Sequence, residues 1–385
     1  MTSWITSALA FALAWLPAAH GENPLVLGAV VSQSGPLAEL AADYRKALLL
    51  WQEQVNAGGG LLGRRIELRL LDDASSAPRN AQLYDELIRD KADALIGPYG
   101  SAASLMAAAE AERARRVIVN GSAPARALHR RAPRYVFQAS VPYSAFGERA
   151  VEAAKDAGMK SVFIVTRDDP GAREMAEAAR QAALELGLKT GEIEIYSGGA
   201  ADFAPQIARA RAAQADAWLD FGEARDAAAT VRSFKKLGYA PKFFFARAAA
   251  DPKFVAFVGQ DAELTLAALE YDTRLETPGN AEFVKAFSAK WSVQPGPAAA
   301  EGYAAATVIA QALQRAAGAD QEKLRSALSR LEIETVLGPY KVDPSGAQVA
   351  TKPALVQIVR GKPQLLAAGS PPAPYPQWNE RKRLK

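Results

Sequence analysis

Leu25-Val26-Leu27-Gly28-Ala29-Val30-Val31 is an unbroken apolar run, and the fold is read outward from it. A strand with one wet face alternates apolar and polar residues. A run without a polar member suits a strand covered on both faces, as in a parallel sheet between two helical layers. The next stretch changes period: Leu40, Tyr44, Ala47, Leu48, Trp51 and Val55 recur at helical spacing, and Asn56 and Gly58 supply a stop. Residues 66–71 then read as strand, 80–91 as helix, 94–96 as strand, 101–112 as helix and 117–119 as strand. Strand and helix in alternation predict a parallel sheet with helices on both faces.

The alternation then restarts. Strands are expected at residues 162–165, 192–196, 216–221, 243–245 and 264–269, with helices at 172–186, 203–213 and 226–237 between them. A chain of 385 residues exceeds what one core ordinarily serves, so two lobes are expected. Three stretches could connect them: residues 138–143, 271–277 and 338–343. Helices at 280–291 and 299–316 would return to the first lobe. The expected division is 24–140 with 274–337 as one lobe, and 141–273 with 338–366 as the other. Residues 367–385 are expected as an extended tail, proline-rich and basic from Pro371 onward. The expected fold class is α/β: two doubly wound parallel-sheet lobes joined by a three-segment hinge.

Residues 4–16 are apolar, and Ala19 and Gly21 suit the −3 and −1 positions of an export cleavage site, although no Lys or Arg precedes them. Residues 1–21 are therefore expected to be a signal peptide, with a mature chain beginning near Glu22. No later run reaches about 18 apolar residues, so no membrane span is expected. The absence of cysteine excludes disulfides, thiolate metal sites, a cysteine nucleophile and lipid attachment at the cleavage site. A free periplasmic protein is the expectation. The net charge of +4 is small, and the densest basic run, residues 126–134, has only Tyr135 beside it. A nucleic-acid partner needs basic and aromatic residues interleaved on one face, so none is expected.

Enzyme signatures are missing too. His129 is the one histidine beyond the leader, and no G-x-S-x-G elbow accompanies it. Asp72-Asp73 and Asp168-Asp169 suit caps and turns better than acid–base work. Gly58, Gly60 and Gly63 have dinucleotide-loop spacing, but a helix precedes them and a strand follows, the reverse of that motif. Neither catalysis nor a cofactor is expected.

Several local motifs stand in a telling order. They are Ser34-Gly35-Pro36 after the first strand, and Asn56-Ala57-Gly58-Gly59-Gly60-Leu61-Leu62-Gly63-Arg64-Arg65-Ile66-Glu67-Leu68 as a helix-to-strand connector. Asp72-Asp73 ends the second strand, Leu95-Ile96-Gly97-Pro98-Tyr99-Gly100-Ser101 follows, and Gly338-Pro339-Tyr340 precedes Asp343. Together they resemble the type I periplasmic binding proteins for leucine, isoleucine and valine and their relatives for other small acids. The resemblance implies two lobes closing over a solute, a small-molecule ligand, and an inner-membrane ABC permease as partner. A monomer is expected. A sensor of the same fold, or a binder of aromatic or keto acids, is the alternative.

Tyr99, Gly100 and Ser101 lie between a strand end and a helix start, where unpaired N–H groups suit a carboxylate. Ser101 also suits a helix cap. The resemblance places Gly121, Ser122 and Ala123 in the loop that grips a ligand carboxylate, with Ala123 where the family has threonine. It places Arg247 where amino-acid binders keep the acid that holds the ammonium group. Glu223 lies in a neighbouring loop. Four arrangements fit: Arg247 binds a second anion, Glu223 binds the ammonium while Arg247 points away, the two form an ion pair in the cleft wall, or Arg247 is a surface arginine. Leu40 and Tyr143 are candidate apolar contacts. Branched-chain amino acids are accordingly expected to bind weakly or not at all.

Overall fold

A computed structural model describes residues 23–367 and 369–378. The expected signal peptide, residues 1–21, lies outside the described residues. The described residues begin with β1 (Leu25–Val30), α1 (Ala38–Ala57), β2 (Ile66–Leu71), α2 (Ala77–Arg89), β3 (Ala94–Ile96), α3 (Ser101–Arg113), β4 (Ile118–Asn120) and β5 (Val136–Gln138). The five strands pair in parallel in the order β2-β1-β3-β4-β5. Leu27, Ala29 and Val31 face one core, shared with Tyr44 and Leu48 of α1, while Val30 faces another with Tyr84, Leu87 and Ala107. Burial of both faces accounts for the unbroken apolar run.

The second half follows as α4 (Tyr143–Asp156), β6 (Ser161–Arg167), α5 (Pro170–Glu185), β7 (Lys189–Thr190), β8 (Glu194–Tyr196) and α6 (Ala204–Ala212). It continues through β9 (Ala217–Phe221), α7 (Ala224–Lys236), β10 (Phe243–Ala246), α8 (Pro252–Val258) and β11 (Leu266–Leu269). Next come α9 (Asn280–Trp291), α10 (Pro297–Ala316), α11 (Gln321–Leu328), β12 (Ile333–Thr335) and β13 (Gly338–Tyr340). Ala305, Val308, Ile309, Leu324 and Leu328 from this stretch pack in the core of the first sheet. The last regular elements among the described residues are β14 (Ala354–Val359) and β15 (Lys362–Leu365).

The second sheet has the order β15-β14-β11-β10-β9-β6-β7, with β8 also on β6. It departs from an all-parallel sheet at one edge, because β14 and β15 run antiparallel. Their hairpin turns through Arg360 and Gly361, both at positive φ (52° and 71°), as a two-residue turn requires. In both sheets the strand order reverses beside the first strand of its half, β1 or β6. Ligands of open α/β sheets bind outside the carboxyl ends of the strands at such a reversal.

Two expectations about the chain's last third need correction. Tyr340 and Val342 lie in the core of the first sheet. The Gly346 carbonyl accepts from Gln138 N–H (2.9 Å), and Gln348 N–H donates to Gln138 Oε1 (3.3 Å). The third crossing therefore falls between Gln348 and Ala354, not at residue 338. The tail, secondly, is extended but not detached from the fold. Tyr375 is 2% exposed and packs edge-on against Phe244 at 5.2 Å. Trp378 Nε1 donates to the Tyr239 carbonyl (2.6 Å), and Ala373 exchanges hydrogen bonds with Gln357 (2.8 and 3.1 Å). The proline-rich composition hid two aromatic anchors.

Beneath the loop after β9 lies a fully buried acid. Asp220 accepts from Thr230 Oγ1 (2.8 Å), Gly222 N–H (2.9 Å) and Tyr196 Oη (3.2 Å). Burial pushes its carboxyl up to about 7, against the pull of these hydrogen bonds.

Two outcomes are expected. Tyr375→Ala should lower the unfolding free energy in urea by about 3 kcal/mol, the usual loss for truncating a buried aromatic. A tail that contributes nothing would leave it unchanged. Asp220 binds a proton more readily folded than unfolded, so its contribution is present below its ordinary value and is lost as pH rises through about 7. Asp220→Asn should remove a stability slope of up to about 1.4 kcal/mol per pH unit across that interval, measured by urea unfolding against pH.

Candidate functional site

The carboxyl edges of the two sheets enclose a cavity of about 990 Å³. On the first sheet, β3 runs into Gly97-Pro98-Tyr99-Gly100, and α3 starts at Ser101. Gly100 is the N-cap, at φ 91°, a conformation that glycine adopts without strain. Its N–H donates to the Ser122 carbonyl (3.1 Å), and the Ser104 hydroxyl bonds its carbonyl (2.9 Å). No side chain caps α3, so Ser101 is not the cap that its position suggested. Tyr99, Gly100 and Ser101 line the cavity, which therefore meets the positive end of an uncapped helix.

Tyr44 fixes this loop from behind. Its hydroxyl donates to the Gly97 carbonyl (2.9 Å), and its ring meets Tyr99 edge-on at 6.2 Å. Gly121 lies against the same hydroxyl, and a Cβ there would stand 2.8 Å from it and 2.7 Å from the Glu301 carbonyl. Gly121 thus does not line the cavity; it lets α10 approach the end of β4. Ala123 is fully buried beneath α3, away from the cavity. Ser122, between them, does line it. Leu40 is 57% exposed and lies outside the cavity.

On the second sheet, Glu223 caps α7 and shares a capping box with Asp226. Its carboxylate is 2.7 Å from Arg167 Nη1, so the ion pair in the cleft wall exists, but with Arg167 rather than Arg247. Arg247 opens the short helical turn after β10 and makes no ion pair within 4 Å among the described residues. It lines the cavity, partly buried. Tyr143, at the start of α4, lines it as well, and its ring fills the space where a side chain at position 171 would stand, which is glycine.

Among the other residues that line the cavity, two acids were not singled out from the sequence. Glu270 directly follows β11, and Glu301 lies in the first turns of α10. Glu301 is 5% exposed. Its carboxyl is raised well above the usual range by burial and by the Glu270 charge, against a hydrogen bond from Ser122. Glu270 is raised by burial, with the Arg247 charge pulling the other way. The signals were present. Glu301 shares the helical stripe of Ala305 and Val308, both fully buried, and a lone carboxylate on an apolar stripe is conspicuous. Glu270 occupies a strand end, the same position that drew attention to Tyr99.

Among the described residues, no group of three His, Cys, Asp or Glu side chains could hold a metal ion, and no helix is long and apolar enough to cross a membrane. Residues 24–363 match the family model described as periplasmic binding protein. The leucine-, isoleucine-, valine-, threonine-, and alanine-binding protein of Pseudomonas aeruginosa is 24% identical over 317 residues, covering 81% of this chain and 84% of its own. An ABC transporter substrate-binding protein of Desulfitobacterium hafniense, solved with Leu, superposes with a TM-score of 0.72 at 20% identity, covering 89% of this chain and all of its own. A solute binding protein of R. palustris, solved with benzoate, gives 0.65 at 22% identity, covering 91% of this chain and 98% of its own. With a cavity between two doubly wound sheets and a match over residues 24–363, the chain belongs to the periplasmic binding protein family and has its two-lobed type I fold.

Proposed function

We propose that this protein is the periplasmic solute-binding component of an ABC importer and that it takes a small carboxylic acid, amino acids included, into the interlobe cavity. One observation carries the reading. The uncapped N-terminus of α3 and the unpaired guanidinium of Arg247 line one cavity from opposite sheets. Each favours an anion, the helix through free N–H groups and the arginine through a planar pair of donors. Tyr99, Gly100, Ser101 and Ser122 form the first-sheet half of that anion site, and Arg247 the second-sheet half.

Tyr143 and Glu223 have framing roles. Tyr143 supplies apolar wall, and Glu223, held by Arg167, fixes the loop before α7. An anion that contacts both sheets binds the closed arrangement better than the open one, the differential affinity that closure requires. The closed face then docks on an inner-membrane permease. The names of the relatives agree with this range, since one is solved with Leu and another with benzoate.

The test is thermal unfolding of the purified protein against amino acids, 2-oxo acids and aromatic acids. A ligand present at about 100 times its Kd adds roughly 2.7 kcal/mol of stability. At least one acid should raise the melting temperature by several degrees. Arg247→Gln should weaken that ligand about tenfold or more, the loss expected for a hydrogen bond to a charged group. A panel without any shift would refute the reading.

A further inference from the structure

We infer that Glu174, which lies outside the ligand cavity, is a positioning residue that latches one lobe to the other and biases the ligand-free protein toward the closed arrangement. Its effect on affinity rests on the solute-binding reading above; its effect on shape does not.

The two partners of the latch are anchored in different lobes. Arg126 opens a short helical turn, residues 126–128, in the connection from β4 to β5. Leu128 of that turn is buried with Ile118 and Val136 in a core of the first sheet. Glu174 lies in the first turns of α5, whose Met175 and Ala176 are buried in a core of the second sheet. Arg126 N–H donates to both oxygens of the Glu174 carboxylate, at 3.1 and 3.3 Å. This contact passes from lobe to lobe outside the three connecting segments. The residue before the turn is Ala125, which has no side chain to cap it. The second lobe thus supplies the cap that the first lobe's own sequence lacks.

Position decides what the contact resists. The turn follows the carboxyl end of β4, and α5 follows the carboxyl end of β6. Those edges enclose the ligand cavity, so parting them draws α5 away from the turn. Charge acts in the same sense. A groove of about 910 Å³ flanks the latch and meets the ligand cavity at Ser101 and Tyr143. Arg126 and Arg130 line it from the first lobe, and Glu174 and Glu177 from the second. The neighbouring charges are taken up locally: Arg173 by Asp168 (2.9 Å), and Asp343 by Ser345 N–H (2.8 Å). Burial raises the Glu174 carboxyl, while the Arg126 N–H and the Arg126 and Arg130 charges pull it back down. The contact is partly exposed, so it biases the lobes without locking them. A ligand whose competent arrangement is only partly populated binds with its intrinsic Kd divided by that population. Raising the population therefore tightens binding with no contact to the ligand.

The test removes each partner in turn. Glu174→Ala deletes the acceptor. Arg126→Pro deletes the donor, and the site accepts proline: Arg126 is the first residue of its turn, and Ala125 before it is extended (φ −74°, ψ 131°). In small-angle scattering without ligand, each variant should show a larger radius of gyration than the parent. The double variant should be no larger than either single one, because both remove the same contact. Glu174→Gln, whose amide oxygen still accepts, should fall between. Leucine, 4-methyl-2-oxopentanoate and benzoate are then titrated calorimetrically, and Glu174→Ala should weaken any that binds by about three- to tenfold. Unchanged radii in both single variants, or single effects that add in the double, would overturn the latch. A lowered melting temperature with an unchanged radius would assign Glu174 to the packing of its own lobe and overturn it too. Expanded variants of a parent that binds none of the acids would support the latch and count against the acid reading.

Discussion

Tyr44 is the point on which the first half of the site depends. Its hydroxyl holds the Gly97 carbonyl, its ring backs Tyr99, and its backbone carbonyl would meet a Cβ at Gly302 at 2.8 Å. One buried side chain of α1 thus sets the height of the loop after β3, the spacing of α10 and the fit of Gly121. Helices ordinarily pack 8–10 Å apart. Glycine at position 302 lets α10 sit tightly enough against α1 for the preceding residue, Glu301, to reach the cavity. A carboxylate on the buried face of a helix is tolerable there because the helix ends at a cleft rather than in a closed core.

Much of the fold was legible from local period. Residues 94–96 and 280–291 form their elements as read, because a short buried strand and an amphipathic helix announce themselves within their own length. Less legible were β5 and α4, for which no element was read; α4 starts directly after Pro142, and only its first residue, Tyr143, lay in the stretch read as connector. The β14–β15 hairpin was missed because Arg360-Gly361 is an unusual pair for a tight turn. The site divides along the same line. Tyr99, Gly100 and Ser101 were readable as a strand end meeting a helix start. Glu301 is joined to Ser122 only by the returning chain, and no local pattern encodes a neighbour so distant in sequence.

The two arginines of the second sheet make the same point about charge. Arg167 is the last residue of β6 and Arg247 directly follows β10, and sequence alone does not rank them. Geometry does: Arg167 is taken up by Glu223 at 2.7 Å and Asp226 at 3.7 Å, which makes it part of the wall. Arg247 is left with its charge uncommitted beside a cavity. A surface pair like the first contributes little energy in water, but it fixes the loop that carries the N-terminus of α7. The unpaired arginine thus shares the cavity with two acids whose carboxyls burial has raised.

The tail gives the molecule a built-in handle. Strand β1, the first element of the described residues, lies in one sheet, while Tyr375 and Trp378, near their other end, are held on the second. The two ends of the described residues therefore ride on different halves. A pair of dyes attached near residues 24 and 378 would convert hinge rotation into a change in transfer efficiency without any label entering the cleft. Because Trp378 is anchored rather than free, the acceptor would follow its lobe instead of averaging over a loose leash, and the fold would serve as an optical reporter of its own occupancy.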